Sequence, residues 1–354
     1  MTTYLLQALG CLACTGGLGI NEEAMRFHWR VLLACAWLLL LLVLIDRHVS
    51  PRSASAESEA KTPGNQSSVA DWGVVVKRRS AMFSSGCKNK EHQGDTQVSL
   101  SKLVLDSIVV SDQHRILFCE TPEASDTYWK KLLIIASGAF SSVKDIPENL
   151  VHDNKKNGLP RLSSLAPLEI MHRLNTYFKF IIVRDPFERL ISTFEDKFLF
   201  NKPSEPWYKH TISHAIIHKY RTGFPFLDDT GLVFDEFVRY LGDVEQRSHM
   251  DWQFGEHIIH WATYVELCAP CDVGYDVIGH HETLERDAAH ILSRAGIGHL
   301  VSYPFVPAGI TRYNKTKVER YFSGVSKWDI RRLYERYQED FHLFGYPTPD
   351  FLLN

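Results

Sequence analysis

With 354 residues, 45% of them hydrophobic and 12% aromatic, the chain can bury a substantial core in one large domain or two ordinary ones. A formal charge of −3 and a pI near 6.6 exclude nucleic-acid binding driven by overall charge, while leaving room for a local basic cleft. Seventeen histidines mark no site by number alone.

Residues 1–30 read as a cytoplasmic tail, with Met25 a possible alternative start. "VLLACAWLLLLLVLI" then runs from Val31 to Ile45 without a charge, between Arg30 and Asp46. It is short for a membrane span, but Phe27 and Trp29 extend it at the interface, and thin secretory membranes accept such lengths. The expectation is a retained signal anchor, since "DRHVSPR" offers no small-x-small cleavage site; Arg26 and Arg30 before the span and Arg47 and Arg52 after it leave its orientation open. Residues 46–102 read as a lumenal stem, because 51–80 is small, polar and without apolar periodicity. Asn65 and Asn314 head glycosylation triplets. Beyond the span lie Cys87, Cys119, Cys268 and Cys271, enough for two disulfides in any of three pairings. "CAPC" has no second CxxC or HxxxH partner, so no metal site is expected.

From about Leu103 strand and helix signals alternate, which favours an α/β domain with a parallel sheet over 103–354. Ile116–Cys119 reads as a buried strand, and Tyr128–Ser137 as a helix closed by Gly138. Phe178–Val183 is a second strand, followed by a turn at Asp185-Pro186 and a helix to about Phe198. "YDVIGH" supplies a third strand, and a helix from Thr283 to Gly296 follows. The last helix carries Ile330, Leu333, Tyr334 and Tyr337 on one face.

Two places carry chemistry. A loop entering a helix N-terminus suits an anion, yet the loop after Cys119 holds Glu123 and Asp126 and no cation before Lys130. Arg184 stands at the carboxyl end of a buried strand with Ser192 on the next helix, a pair able to grip a phosphate from two sides. The plainer alternative is that Arg184 pairs with Asp185 or Glu188 and only pins the turn.

The strand–loop–helix at 116–137 together with "VRDPFERLISTFEDKF", "HIIHWATYVELCAPC", "YDVIGHHETLE" and the terminal "PDFLLN" resembles the Golgi carbohydrate sulfotransferases of the chondroitin, dermatan and natural-killer-epitope group. The resemblance covers about Leu103 to Asn354. It implies a single-pass type II protein of the Golgi membrane, with a P-loop-like sulfotransferase domain in the lumen behind the anchor and stem. The implied activity moves sulfate from phosphoadenosine phosphosulfate (PAPS) to a glycan hydroxyl, position 3 of a terminal glucuronic acid on glycoproteins or glycolipids, with a glucuronyltransferase as a possible partner and no metal or nucleic acid.

The same resemblance assigns the 5′-phosphosulfate to Pro122, Glu123, Ala124, Ser125, Asp126, Thr127 and Tyr128. It assigns the 3′-phosphate to Arg184, Asp185, Pro186, Phe187, Glu188, Arg189, Leu190, Ile191 and Ser192. Glu123 departs from the family's lysine, and Asp126 from a neutral residue. Sulfuryl transfer also asks for a base. His152 in "LVHDNKK" is the candidate and His260 the next, with Lys155, Lys156 and Arg161 available for a uronate. The competing readings are a metal-dependent glycosyltransferase, which would want an Asp-x-Asp that this chain lacks, and a silent family member that binds a glycan or partner.

Overall fold

The structure, a computed structural model, describes residues 65–91, 100–200, 203–221, 231–304 and 311–353. The apolar run Val31–Ile45 lies outside them, and among the described residues no helix is long and apolar enough to cross a membrane.

Four strands form one sheet in the order β1 (Ile108–Ser111), β2 (Ile116–Cys119), β3 (Phe178–Val183) and β4 (Val277–His280). β2, β3 and β4 run parallel, as the alternating pattern predicts. β1 pairs antiparallel with β2 through a tight hairpin, so the sheet is mixed rather than purely parallel. Its residues, Ile-Val-Val-Ser, are all buried, and their short apolar run carries no direction signal.

Both faces of the sheet are covered, which is why the strands read as continuous apolar runs. Ile116, Phe118, Phe180, Ile182 and Val277 pack under the helices α2 (Asp126–Ala136) and α5 (Leu284–Arg294). Leu117, Cys119, Ile181, Val183 and Ile278 pack on the opposite face. Gly279 lets α5 approach β4: a Cβ there would sit 2.5 Å from Ile182 Cδ1 and 3.1 Å from Ile291 Cδ1. A third cluster joins α3 (Pro186–Thr193), α4 (Phe234–Gly242), α6 (Lys315–Phe322) and α7 (Lys327–Phe344). In α7, Ser326 caps the start, Gly345 ends it with φ +72°, and Ile330, Leu333 and Tyr337 are buried as the periodicity requires.

The segment expected as flexible stem differs. Helix α1 covers Asn65–Glu91. It is held by partners far along the chain: Arg79 pairs with Asp287 on α5 at 2.9 Å, Phe83 stacks on Phe344, and Cys87 is bonded to Cys271. A weakly apolar helix owes its order to such partners, which composition does not reveal. The second disulfide is Cys119–Cys268, so CAPC forms neither a redox pair nor a metal site.

Candidate active site

β2 leads into a loop that bends sharply before α2. Glu123 and Ser125 both take left-handed backbone, with φ of +68° and +77°, a conformation side-chain-bearing residues adopt at a cost. Thr121 anchors the loop by donating its hydroxyl to the Ile182 carbonyl at 2.7 Å. Ser125 caps α2 without a side-chain hydrogen bond, leaving first-turn N–H groups for an anion.

The second segment reaches the same place. Arg184, at the end of β3, donates from Nη1 to the Glu123 carbonyl at 3.2 Å and lies 3.5 Å from Glu188 through Nε. Tyr264 fixes its backbone, accepting from the Arg184 N–H at 2.8 Å and donating to its carbonyl at 3.2 Å. Ser192 donates to Glu123 Oε2 at 2.7 Å. The two segments singled out in the sequence therefore meet at the carboxyl ends of β2 and β3, where open parallel sheets bind ligands.

The nine residues of 184–192 divide sharply. Pro186, Phe187, Leu190 and Ile191 are core. Asp185 is a helix cap, its Oδ1 accepting from the Phe187 and Glu188 N–H groups, while its own N–H donates to Glu282. Glu188 accepts from the Asn314 N–H. Arg189 is buried and donates to the carbonyls of Pro122, Ala262 and Ile259, with its guanidinium over the Tyr264 ring. Arg184, Arg189 and Ser192 all reach the loop, Arg189 through the Pro122 carbonyl and from full burial, Arg184 and Ser192 through Glu123.

The two loop carboxyls differ in charge. Burial raises Asp126 to about 7, helped by the neighbouring Glu120 charge and opposed by Lys130. Burial would raise Glu123 as well, but the adjacent His260 ring, the Ser192 hydrogen bond and the charge of Lys197 outweigh it and hold the carboxyl at about 2. Glu123 is thus the fixed negative charge, and it faces Ser192 and His260, whose Nδ1 lies 3.8 Å from Oε1. Burial lowers His260 below the usual imidazole value, against the opposing pull of the Glu123 carboxylate.

Lys130 is buried and bonded to Glu120, with His152 Nδ1 3.3 Å away. Arg161 holds the other Glu120 oxygen and Asn154. Lys131 pairs with Glu148, and Lys156 with Asp153. These cations are engaged, so none of them is turned to offset Glu123. Burial lowers His152 first and the Lys130 charge second. Trp129 is core, packed at tilted angles against Phe118, Phe180 and Tyr303. Sequence reading missed Glu120, Tyr264 and Glu282; each acts on a residue at least ten positions away, with no local pattern to mark it.

A mixed α/β sheet with a strand–loop–helix anion site facing an Arg–Ser pair defines a sulfuryl- or phosphoryl-handling protein. The match to the Sulfotransferase family over residues 106–347 settles which: the chain belongs to that family. It is 52% identical to Carbohydrate sulfotransferase 10 of Danio rerio, over 93% of this chain and 100% of the relative. Identity to the Homo sapiens protein of the same name is 49%, with the same coverage, and to human Carbohydrate sulfotransferase 9 it is 36%, over 68% of this chain and 53% of that protein. No solved structure matches. The resemblance read from the motifs is borne out.

A sulfotransferase implies a sulfonucleotide donor, and the site has groups of the kind that hold one: backbone N–H groups at the start of α2 with no side-chain cap, and the Arg184 guanidinium. Arg184→Ala is expected to weaken binding of adenosine 3′,5′-bisphosphate, the product nucleotide, about 30-fold, or ~2 kcal/mol. Titration calorimetry checks it. Melting should fall only slightly, because Glu188 retains the Asn314 N–H; a large loss of stability with affinity spared would make Arg184 a structural pin.

Proposed function

We propose that the protein is a PAPS-dependent carbohydrate sulfotransferase of the Golgi lumen, acting on position 3 of a terminal glucuronic acid. The observation that carries the reading is the convergence of loop 121–125 with Arg184 and Ser192. The relatives' names support a carbohydrate acceptor, and the sequence motifs support the uronate. The donor supplies the sulfuryl group. The α2 N-terminus receives its 5′ end, and Arg184 and Ser192 receive its 3′-phosphate. As the acceptor oxygen bonds to sulfur and the sulfur–phosphate oxygen bond breaks, His152 takes the hydroxyl proton. The fold contributes positioning and electrostatics more than covalent chemistry. Radiolabelled-sulfate transfer from PAPS to glucuronate-terminated glycans tests the reading; absence of transfer with retained nucleotide binding would favour a silent, glycan-binding protein.

A base with a lowered pKa is already unprotonated at neutral pH. The acid limb of kcat is therefore expected below pH ~6.5, the ordinary imidazole value, and His152→Ala should abolish that limb. If the limb survives in that variant and vanishes in His260→Ala, the base is His260.

Two disulfides support an oxidising lumen, and Asn314 is exposed at the start of α6. Mobility on gels is expected to shift with endoglycosidase and to stop shifting when Asn65 and Asn314 are both replaced. Protease sensitivity of the C-terminus in intact microsomes would refute lumenal topology.

A further inference from the structure

Exposed aromatic residues are ordinary on protein surfaces when they stand alone. Trp207 does not stand alone. A wall of rings in contact leads to it from the donor loop, with Tyr208 buried at its middle and His257 and His260 half-buried. Glu123 Oε1 lies 3.8 Å from His260 Nδ1, and the His260 ring meets Tyr208 edge-on with centroids 5.8 Å apart. Tyr208 meets His257 edge-on at 5.1 Å, with its hydroxyl 3.2 Å from Nδ1. His257 lies against Trp207 at 6.1 Å and 30°. Trp207, at the outer end, is 57% exposed. A cavity of about 200 Å³ opens beside it, lined in part by Thr211, Gln253, Glu256 and His257.

We propose that this wall is an acceptor subsite, with the pyranose ring next to the sulfated sugar resting on Trp207. The proposal rests on the carbohydrate-sulfotransferase reading above. Three features select that occupant. The wall begins at the loop that carries the donor, so direct ring contacts join that loop to the exposed ring at its outer end. A rigid aromatic face beside hydroxyl, amide and imidazole groups suits a ring that is apolar on its faces and polar at its edge. The cavity is smaller than the ~300–1,000 Å³ of a drug-sized pocket and suits a single ring. Glu256 in its lining repels a carboxylate, so this ring is a neutral sugar and the uronate sits inward, at the donor.

Acceptor length provides the test. With the full chain, Trp207→Ala is expected to raise KM about tenfold for a disaccharide of glucuronate linked to a neutral sugar. KM for methyl glucuronide, which lacks the second ring, should stay within twofold. Binding of adenosine 3′,5′-bisphosphate and the melting temperature should not move, and Trp207→Phe should recover most of the loss. An unchanged disaccharide KM, or equal losses for both acceptors, overturns the proposal. If wild type transfers sulfate to neither acceptor, the function reading fails. Saturation-transfer NMR of the disaccharide, with product nucleotide present, then decides the subsite by itself. A transfer signal on the neutral ring that disappears in Trp207→Ala upholds it. A signal that persists in that variant, or is absent from wild type, overturns it.

Discussion

Glu123→Lys is expected to raise kcat/KM for PAPS at least ~100-fold, equivalent to ~2.7 kcal/mol. The carboxylate is ionised and takes the hydrogen bond of Ser192, so under the proposed reading it engages a hydroxyl offered to the 3′-phosphate and opposes an incoming anion. One unit charge pair at ~5 Å and an effective dielectric of ~20 is worth ~3 kcal/mol, and exchanging repulsion for attraction counts it twice. Part of that is offset by Lys197, whose charge already acts on this position and would repel a second ammonium.

Glu123→Gln separates the terms. It removes the charge while keeping an acceptor for Ser192, and should tighten the product nucleotide by ~2–3 kcal/mol. The difference from wild type should hold across pH 5–8, since a carboxyl held at about 2 does not titrate there. The linkage sign is also defined. A depressed carboxyl stabilises the fold above its unfolded value of ~4.3 and loses that contribution as pH falls toward about 2. The Gln variant should lack this acid-side loss. Nucleotide affinity unchanged within threefold in both variants would mean that the carboxylate does not face the bound donor.

Arg189→Met should cost ~3–5 kcal/mol of stability, the range for breaking a buried, hydrogen-bonded charged group. Three carbonyls, of Pro122, Ile259 and Ala262, depend on its guanidinium, at distances of 3.1, 2.9 and 2.6 Å. Methionine fills much of the volume and satisfies none of them. Lysine keeps the charge but cannot span three acceptors with one ammonium, so Arg189→Lys should recover less than half of the loss. Denaturant unfolding measures both. A cost under ~1 kcal/mol for Met would show that water replaces the guanidinium and that the loop does not need the strap. Because Arg189 binds the donor loop at Pro122, nucleotide affinity should fall along with stability, whereas Arg184→Ala moves affinity alone.

Those two arginines mark the boundary between what was legible and what was not. Five residues apart in one motif, they look equivalent in sequence; one keeps part of its side chain exposed beside Glu123, and the other is a buried strap. The sequence by itself determined the local elements. Apolar runs specified β2, β3 and β4, Pro186 behind the Asp185 cap started α3, and Ser326 with Gly345 bounded α7. It also put the 120–125 loop and Arg184 at the ends of β2 and β3, because a strand end and a helix start are local features.

The tertiary structure alone decided four things. It joined Cys87 to Cys271 and Cys119 to Cys268, pairings separated by 184 and 149 residues. It added β1 antiparallel at the sheet edge and turned supposed stem into α1. It aimed Glu123 at Ser192 and His260 rather than outward. Periodicity and capping act over a few residues and are written in neighbouring letters. Side-chain direction at a left-handed residue and contacts across a hundred positions depend on where the rest of the core closes, which no short pattern encodes.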